Sequence, residues 1–350
     1  MRVLITGHLG YIGPVMVRLF KQAGHFVAGL DTGFFRESIT ANEDDTWPDV
    51  EIVKDIRHIE VDDVVGFDCI VHLAALSSDP IGELAPDLTM QINYDASVRT
   101  ARLAKAAGVG RFVFASSCSL YGAAGASGPL TEDAPFNPVS VYAVSKVKAE
   151  LALRELADDH FTPVYLRNAT AYGVSPQLRF DLVLNNLMAW AMTSGRIRVT
   201  SDGTPWRPLA HIEDISRAAL CAAEAPQDTV HNEAFNVGRQ EGNYRIREVA
   251  EAVAREVPEA SLEITGETAG DLRSYRVSFE KITERLPGYA PKWTIERGCE
   301  EFRRWFELRS ETETSFQSRR YIRLKQLKHL MSENRVNDAL FWTDLSVDPS

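Results

Sequence analysis

A tyrosine and a lysine lie four residues apart in Tyr142-Ala143-Val144-Ser145-Lys146, and apolar residues continue at helical spacing beyond them. Side chains four apart share one face of a helix. A phenol has a pKa of about 10, so on its own it is a poor base at neutral pH. A neighbouring ammonium lowers that pKa, and the pair therefore predicts a general base that removes a proton from an alcohol. Such a pair also arises by chance in many helices, so by itself it is weak evidence of catalysis.

A run of hydroxyl side chains follows a predicted strand at 111–116. In Ser116-Ser117-Cys118-Ser119 the second serine is placed to hydrogen-bond a reacting oxygen and to share its proton with Tyr142. The alternative interpretation is an ordinary polar exit from a strand into a loop. Both interpretations stay open on these residues alone.

Three glycines at three-residue spacing, Gly7, Gly10 and Gly13, follow a predicted buried strand at 2–6 and precede a predicted helix. Glycines let a backbone approach a diphosphate closely, and the free N–H groups of a helix N-terminus attract its charge. A second predicted strand at 25–30 leads into Asp31, whose carboxylate can accept both hydroxyls of a ribose. The complete unit predicts a dinucleotide site. Because a carboxylate there would repel a 2′-phosphate, it favours NAD over NADP.

Predicted strands and helices continue to alternate along the chain, with strands at 51–54, 67–73 and 111–116 and a helix at 97–107. This alternation predicts an α/β fold with a Rossmann-like, doubly wound parallel sheet, in which ligands bind at the carboxyl ends of the strands. Asp55, Ala74 and Ser117 follow such ends. The sequence therefore brings the glycine loop and the Ser117 segment to one edge of the sheet.

The composition excludes several classes of function. The chain has 350 residues with 38 basic and 49 acidic side chains, a net charge of −11, which disfavours a nucleic-acid partner. Its four cysteines lie far apart, so no metal site is expected. We find no signal-peptide core and no apolar run long enough for a membrane helix. The expectation is a protein of the cytoplasm without a membrane partner.

Five segments together carry a resemblance: TGHLGYIG at 6–13, Asp31, HLAAL at 72–76, SSCSLYG at 116–122 and YAVSK at 142–146. They resemble the extended short-chain dehydrogenases/reductases, and within them the NAD-dependent sugar-nucleotide epimerases and dehydratases. The resemblance spans about residues 1–300. It implies an NAD-binding Rossmann domain at 1–166 to which later segments return, and a domain at 167–300 that mainly binds the nucleotide sugar. Residues 301–350 are then a helical C-terminal extension.

The resemblance also implies roles for individual residues. Tyr142 becomes the base, Lys146 its partner at the nicotinamide ribose, and Ser117 the hydroxyl that bridges to the sugar. The residues implied for NAD binding are Gly7, Gly10, Tyr11, Ile12, Gly13, Asp31, Asp55, Ile56, Leu73, Ala74, Ala75, Asn93 and Lys146. Those implied for the substrate, a nucleoside diphosphate sugar, are Ser77, Ser78, Asn168, Thr170, Asn186, Arg207, Asp271 and Arg273.

Two of these substrate assignments concern the diphosphate. Asn186 matches a residue that reaches it, and Arg207 matches an arginine that clamps it, for which a guanidinium fork is well suited. Asp271 falls where the family contacts the ribose region of the nucleotide. Thr268 stands where relatives carry an arginine, so Arg273 is the candidate to supply that charge.

Departures from the family pattern narrow the reaction. The 4,6-dehydratases carry an Asp-Glu pair where this chain has Cys118 and Ser119, so the acid and base that remove water are missing and dehydration is disfavoured. Decarboxylation is disfavoured for the same reason. Cys118 is a candidate acid or base, although a packing role is the favoured alternative. Thr170 replaces a substrate-binding asparagine, for which Asn168 is a candidate substitute, and Ser77-Ser78 begins the substrate loop in an unusual way.

These observations predict an NAD-dependent epimerase of a nucleoside diphosphate sugar, which acts at C4 through a transient 4-keto sugar. A reductase of a nucleotide-linked keto sugar is the alternative, and a non-catalytic NAD-sensing regulator is a third hypothesis. The helix that carries Tyr142 forms a dimer interface in many relatives, which implies a homodimer. Residues 319–331 show an amphipathic pattern with a basic outer face. We expect this segment to pack on the body or on a partner subunit rather than on a membrane or nucleic acid.

Overall fold

The computed structural model describes residues 1–40, 44–122, 128–267 and 274–343. Its strands are β1 (Arg2–Thr6), β2 (Phe26–Asp31), β3 (Val50–Val53), β4 (Cys69–His72), β5 (Arg111–Ser117), β6 (Thr162–Asn168), β7 (Thr170–Tyr172), β8 (Arg196–Val199), β9 (Trp206–His211), β10 (Ala234–Val237), β11 (Asn243–Arg245) and β12 (Ser261–Ile264). Its helices are α1 (Gly13–Gln22), α2 (Asp79–Leu84), α3 (Pro86–Met90), α4 (Ala96–Ala106), α5 (Val141–Arg154), α6 (Val183–Ser194), α7 (Ile212–Glu224), α8 (Gln227–Val230), α9 (Ile246–Glu256), α10 (Glu280–Arg285), α11 (Ile295–Glu307), α12 (Glu313–Phe316) and α13 (Arg323–Ser332).

Within these ranges, seven parallel strands form the main sheet in the order β10-β6-β5-β4-β1-β2-β3. The chain leaves β1 toward β2 and β3 and then returns to the other side of β1 for β4, so the winding direction reverses between β1 and β4. Ligands of such sheets bind at this reversal, outside the carboxyl ends of the strands. The predicted α/β, Rossmann-like fold is confirmed.

The buried strands are apolar on both sides because helices cover both faces of the sheet. In β1, Val3 and Ile5 belong to one apolar cluster with Phe20 of α1, whereas Leu4 belongs to the cluster on the opposite face with Leu153 of α5. All of these side chains are fully buried. Because alternate side chains of β1 are buried on opposite faces of the sheet, the orientation of the strand is fixed, and with it the position of the glycine loop that follows.

A second layer lies over one end of the main sheet. Strands β11, β9 and β7 form a three-stranded sheet, and β12 pairs with β8. Helices α6, α9 and α11 bury their apolar faces in one cluster with these strands, in which Phe180 packs against the rings of Phe302, Phe306 and Tyr321. Strand β10 then rejoins the main sheet beside β6.

Candidate active site

A cleft of about 850 Å³ opens at the carboxyl ends of β1, β2, β4 and β5. It runs between the main sheet and the second layer. The predicted site residues that line it are Gly7, Gly10, Tyr11, Ile12, Gly13, Asp31, Asp55, Ile56, Leu73, Ala74, Ala75, Ser77, Ser78, Ser117, Ser119, Tyr142, Lys146, Asn168, Thr170, Asn186 and Arg207. The glycine loop and the helix that carries Tyr142, the two groups of residues predicted from the sequence, therefore line the same cleft.

The glycine loop is shaped so that only glycine fits at its tightest points. Gly7 has φ +77°, and a Cβ there would lie 2.7 Å from the backbone nitrogen of Ala74. A Cβ on Gly13 would lie 2.1 Å from the His8 carbonyl oxygen. Helix α1 begins at Gly13 with no side-chain hydrogen bond at its N-cap. Its first N–H groups are thus left for a ligand, and their positive end suits a diphosphate.

Asp31 stands at the end of β2 with its carboxylate fixed by the backbone. One carboxylate oxygen accepts the Leu9 N–H at 3.1 Å and the other accepts the Gly33 N–H at 2.8 Å. Each oxygen has further lone pairs, which are available to ribose hydroxyls. The residues present therefore fit a dinucleotide without a 2′-phosphate, with the diphosphate at α1 and the adenosine ribose at Asp31.

Asp55 and Ile56 line the same end of the cleft. The Asp55 carboxylate is already engaged by Arg57, which donates from Nε at 2.9 Å and from Nη2 at 2.6 Å. This segment therefore presents to an adenine the apolar side chain of Ile56 and the edge of a carboxylate that is paired with Arg57.

Helix α5 carries the predicted catalytic pair. The hydroxyl of Ser140 caps the helix by accepting the Ala143 N–H at 3.2 Å. Four residues apart, Tyr142 and Lys146 face the cleft, and the Lys146 ammonium lies 6.0 Å from the centroid of the Tyr142 ring. Lys146 donates to the Ala115 carbonyl at 2.8 Å, which ties the helix to β5.

Burial shifts the pKa of both groups toward their neutral forms. It lowers the pKa of Lys146 to about 7. It raises the pKa of Tyr142 to about 12, against which a hydrogen bond with Ser117 acts in the opposite direction. The phenol is therefore protonated in the cofactor-free protein, and it needs an added positive charge in the cleft to become a base.

Two polar atoms beside this pair are buried and make no hydrogen bond to any residue that the structure describes. They are the hydroxyl oxygen of Ser119 and the side-chain carbonyl oxygen of Asn168. Both residues line the cleft. Buried polar atoms are rarely left without a partner in folded proteins, so these two atoms are candidates to bind hydroxyl groups of a ligand.

The predicted diphosphate ligands lie on the second-layer side of the cleft. Asn186, on the first turn of α6, donates to the Phe180 carbonyl at 2.8 Å. Arg207, on β9, is 7% exposed and donates to the Trp206 carbonyl at 2.8 Å. Asp271 and Arg273 lie outside the described residues.

Two of the predicted site residues do not line the cleft. The Cys118 side chain does not line the cleft: it is 1% exposed, and its thiol donates to the Arg167 carbonyl at 3.0 Å. Burial raises the pKa of this thiol, so it is a packing residue, which was the favoured alternative. Asn93 is also fully buried away from the cleft, where it holds the backbone of Leu76 and the Ser145 hydroxyl. It therefore positions the loop after β4 against α5, which agrees with the family's asparagine that steadies the central helix.

The cleft contains charged residues that the sequence analysis missed. Arg179 is 6% exposed and forms two hydrogen bonds of 2.8 Å with the Asp181 carboxylate. A third donor of Arg179 reaches the Ser77 hydroxyl at 3.1 Å, which links this arginine to the loop after β4. The Arg-x-Asp spacing at 179–181 is the only signal in the sequence, and it is common in surface loops.

Arg323 of α13 also lines the cleft. The amphipathic pattern placed it on a basic outer face, but it is 3% exposed and points inward. No local spacing relates residue 323 to the glycine loop. The described residues contain neither a cluster of side chains able to hold a metal ion nor a helix with the length and apolarity that a membrane crossing needs.

The fold and the cleft define a class of enzyme: one that binds NAD on a Rossmann sheet and acts on an alcohol carbon beside a Tyr–Lys pair. A family model for the NAD dependent epimerase/dehydratase family matches residues 3–238. The chain is 30% identical to the UDP-glucose 4-epimerase of Mycolicibacterium smegmatis over 89% of this chain and 100% of that protein.

Solved structures agree with this match. The chain is similar to MoeE5 in complex with UDP-glucuronic acid and NAD, with 27% identity, a TM-score of 0.74 and coverage of 87% of this chain and 99% of that one. It shares its fold with TunA, an NAD-dependent NDP-hexosamine 5,6-dehydratase, with a TM-score of 0.77 at 24% identity over 88% of this chain and 98% of that one. The chain belongs to the NAD-dependent epimerase/dehydratase family. Within it the chain is an NAD-dependent sugar-nucleotide epimerase.

Proposed function

We propose that the enzyme inverts the hydroxyl group at C4 of a nucleoside diphosphate sugar. The observation that carries this proposal is the convergence of Tyr142, Lys146 and Ser117 in the same cleft as the glycine loop. NAD held at the glycine loop and Asp31 would supply reversible hydride-transfer chemistry at the alcohol carbon. No second substrate is then consumed.

The residues of the chain handle the proton. Tyr142 takes the proton of the C4 hydroxyl as the C4–H bond breaks, and a 4-keto sugar results. The Ser117 hydroxyl holds the same oxygen, and the Lys146 ammonium stabilises the phenolate. After the sugar has turned, Tyr142 returns the proton to the oxygen as the C–H bond re-forms on the opposite face.

The side of the cleft that is formed by the second layer is the proposed binding site for the substrate. Arg207 and Asn186 bind the diphosphate, which leaves the sugar free to turn about its phosphate link. Ser119, Asn168 and Thr170 offer hydroxyl and amide groups to the sugar hydroxyls. Cys118 and Ser119 occupy the two positions at which the 4,6-dehydratases carry carboxylic side chains. The acid and the base that dehydration needs are therefore missing.

UDP-linked sugars are the first substrates to test. The relative from M. smegmatis is named for UDP-glucose, and MoeE5 was solved with UDP-glucuronic acid. The experiment incubates the purified protein with a panel of nucleotide sugars and identifies the products by NMR, while absorbance at 340 nm reports NADH. We expect an inverted C4 centre with no net change at 340 nm. Stoichiometric loss of added NADH identifies a reductase instead, and nucleotide-sugar binding without turnover identifies a regulator.

Tyr142→Phe and Cys118→Ala form a matched pair of variants for the same assay. Loss of the phenol removes the general base, so we expect turnover to fall by about 10²- to 10⁴-fold with NAD still bound. Cys118→Ala alters a buried packing residue, and we expect turnover within about twofold of wild type. Equal losses in both variants would contradict the assigned roles.

We further propose that the enzyme is a homodimer of the cytoplasm. An exposed apolar side chain on α5 supports the dimer: Leu151, on the helix that carries the catalytic pair, is 48% exposed. Light scattering on the eluting protein gives the mass of the assembly, and a monomer mass of 39.0 kDa would contradict the proposal.

A further inference from the structure

A C-terminal strap, defined here as residues 319–342, lies across the adenosine end of the cleft. Its helix α13 buries Leu327 and Leu330 in the same apolar cluster as Phe34 and Ile56, and the latter two line the cleft. The family model ends at residue 238. The strap is therefore a part of the chain that the family match does not include, and it is packed on the loops that flank the adenosine site.

The strap is hydrogen-bonded to the loop that follows Asp31. The bonds between them include Trp342 Nε1 to the Thr32 carbonyl (2.7 Å), Gln326 Nε2 to the Phe34 carbonyl (3.1 Å) and Arg319 Nη1 to the Glu37 carboxylate (2.9 Å). Arg335 pairs with Glu37 as well. Asp31 is the predicted ribose ligand, and these bonds restrain the segment that directly follows it.

The strap also contacts the loop that follows β3. Arg57 donates to the carbonyls of Ala339 at 2.6 Å and Leu340 at 3.2 Å, and its guanidinium carbon lies 3.6 Å from the ring centroid of Phe341. The same guanidinium holds the Asp55 carboxylate. Both loops beside the adenosine site are thus tied to one segment of the extension.

One strap residue reaches the cleft itself. The guanidinium carbon of Arg323 lies 4.2 Å from the ring centroid of Phe35, and its Nη2 donates to the Gln177 carbonyl at 2.9 Å. Among the described residues it forms no ion pair. Burial lowers the pKa of Arg323 to about 9, and the charge of Arg179 acts in the same direction. The nearby carboxylates of Asp181 and Asp31 act in the opposite direction, but neither forms a salt bridge with Arg323. A buried cation that lacks a directly paired anion is unfavourable, so this position is suited to an anionic ligand.

We propose that Arg323 is a ligand of the NAD diphosphate and that the strap retains the cofactor in the cleft. The electrostatic partners of Arg323 include Asp31 and Tyr11, which belong to the ribose and glycine-loop parts of the dinucleotide site. A diphosphate offers oxygens that a guanidinium fork binds in pairs. The diphosphate of the nucleotide sugar has the same chemistry, and the experiment separates the two sources.

The test compares two charge deletions on one helix, Arg323→Gln and Lys328→Gln. Lys328 is exposed and does not line the cleft. Calorimetry on protein freed of NAD gives the affinity for NAD and for ADP-ribose, which keeps the diphosphate but lacks nicotinamide. We expect Arg323→Gln to weaken both ligands by at least about tenfold. Lys328→Gln is expected to leave both affinities within twofold of wild type.

The affinity of NAD-loaded protein for UDP shows whether Arg323 instead binds the diphosphate of the nucleotide sugar. If Arg323→Gln weakens UDP but not NAD, the residue serves the substrate diphosphate and the proposal is overturned. Unchanged affinities for both ligands overturn it as well. None of these readings requires turnover, so a chain that retains NAD but does not epimerise would contradict the proposed function alone.

A second variant covers the case in which Arg323→Gln does not fold. Trp342→Ala removes the bond to Thr32 without altering a residue that lines the cleft. We expect bound NAD to dissociate at least severalfold faster after dilution, while circular dichroism shows an intact fold. A dissociation rate equal to that of wild type would overturn the role of the strap.

Discussion

Lys146 is held in surroundings that work against its charge. It is 2% exposed, and burial lowers the pKa of its ammonium to about 7. The same burial raises the pKa of the Tyr142 phenol. At pH 7 the phenol is therefore protonated, whereas Lys146 is charged in about half of the molecules. The positive nicotinamide ring of bound NAD would lower the pKa of the phenol, and binding of the cofactor would then help to activate the base.

The lowered pKa of Lys146 predicts a dependence of stability on pH in the cofactor-free protein. Between pH 7 and about 10.5 the unfolded chain binds more protons than the folded one, so this group makes the free energy of unfolding rise with pH. Below pH 7 Lys146 is charged in both the folded and the unfolded protein, and burial of its charge then lowers the free energy of unfolding by the full amount. We therefore expect Lys146→Met to be more stable than wild type at pH 7, with the difference shrinking by pH 10.

Denaturant unfolding at both pH values measures this difference. Lys148→Met, which alters an exposed lysine on the same helix, is the control and should show no such trend. A Lys146→Met variant that is less stable than wild type at pH 7 and unchanged at pH 10 would contradict the burial of an uncompensated ammonium.

At the scale of the elements, the glycine loop is the part of the site that the sequence predicted most fully. The spacing of Gly7, Gly10 and Gly13 predicted a tight loop between a strand and a helix, and the structure shows that loop. What the spacing did not predict is that Gly7 packs against Leu73 and Ala74, directly after β4. Arg179 could not be predicted in the same way, because its place in the cleft depends on how the second layer packs over the sheet. Such long-range packing leaves no periodic pattern in the sequence.

The loop geometry predicts unequal effects of two glycine substitutions. Gly7 and Gly24 both have positive φ, of +77° and +82°, but only at Gly7 would a Cβ meet other atoms. We expect Gly24→Ala to lower the free energy of unfolding by about 1–2 kcal/mol, from the left-handed backbone alone. Gly7→Ala should lower it by about a further 1–3 kcal/mol through steric overlap.

Gly7→Ala should also abolish NAD binding, since the shift of the loop moves the N-terminus of α1. Denaturant unfolding and NAD titration check the two effects. Equal losses of stability in the two variants, or a Gly7→Ala protein that binds NAD as wild type does, would contradict the close packing of the loop on β4.

At the scale of the whole molecule, the second half of the chain packs back on the first half in several places. Strand β10 joins the main sheet beside β6, and the strap packs on the loops after β2 and β3. The sequence predicted the alternating Rossmann core because strands and helices there leave local patterns. It could not place Arg323, since an amphipathic pattern tells which residues share a face but not which face meets the protein. The boundaries at 166 and 300 stay predictions.

The central claim, that a hydrogen leaves C4 and returns to the same carbon, has one direct measurement. The enzyme is incubated with UDP-glucose that carries deuterium at C4, or with the best substrate of the panel labelled in the same way, and the inverted product is analysed by NMR. Retention of the deuterium at C4 of the product is the predicted result. In a parallel reaction of unlabelled substrate in D₂O, we expect no deuterium at C4 of the product. Loss of the label to solvent, or its accumulation on released cofactor, would contradict the account.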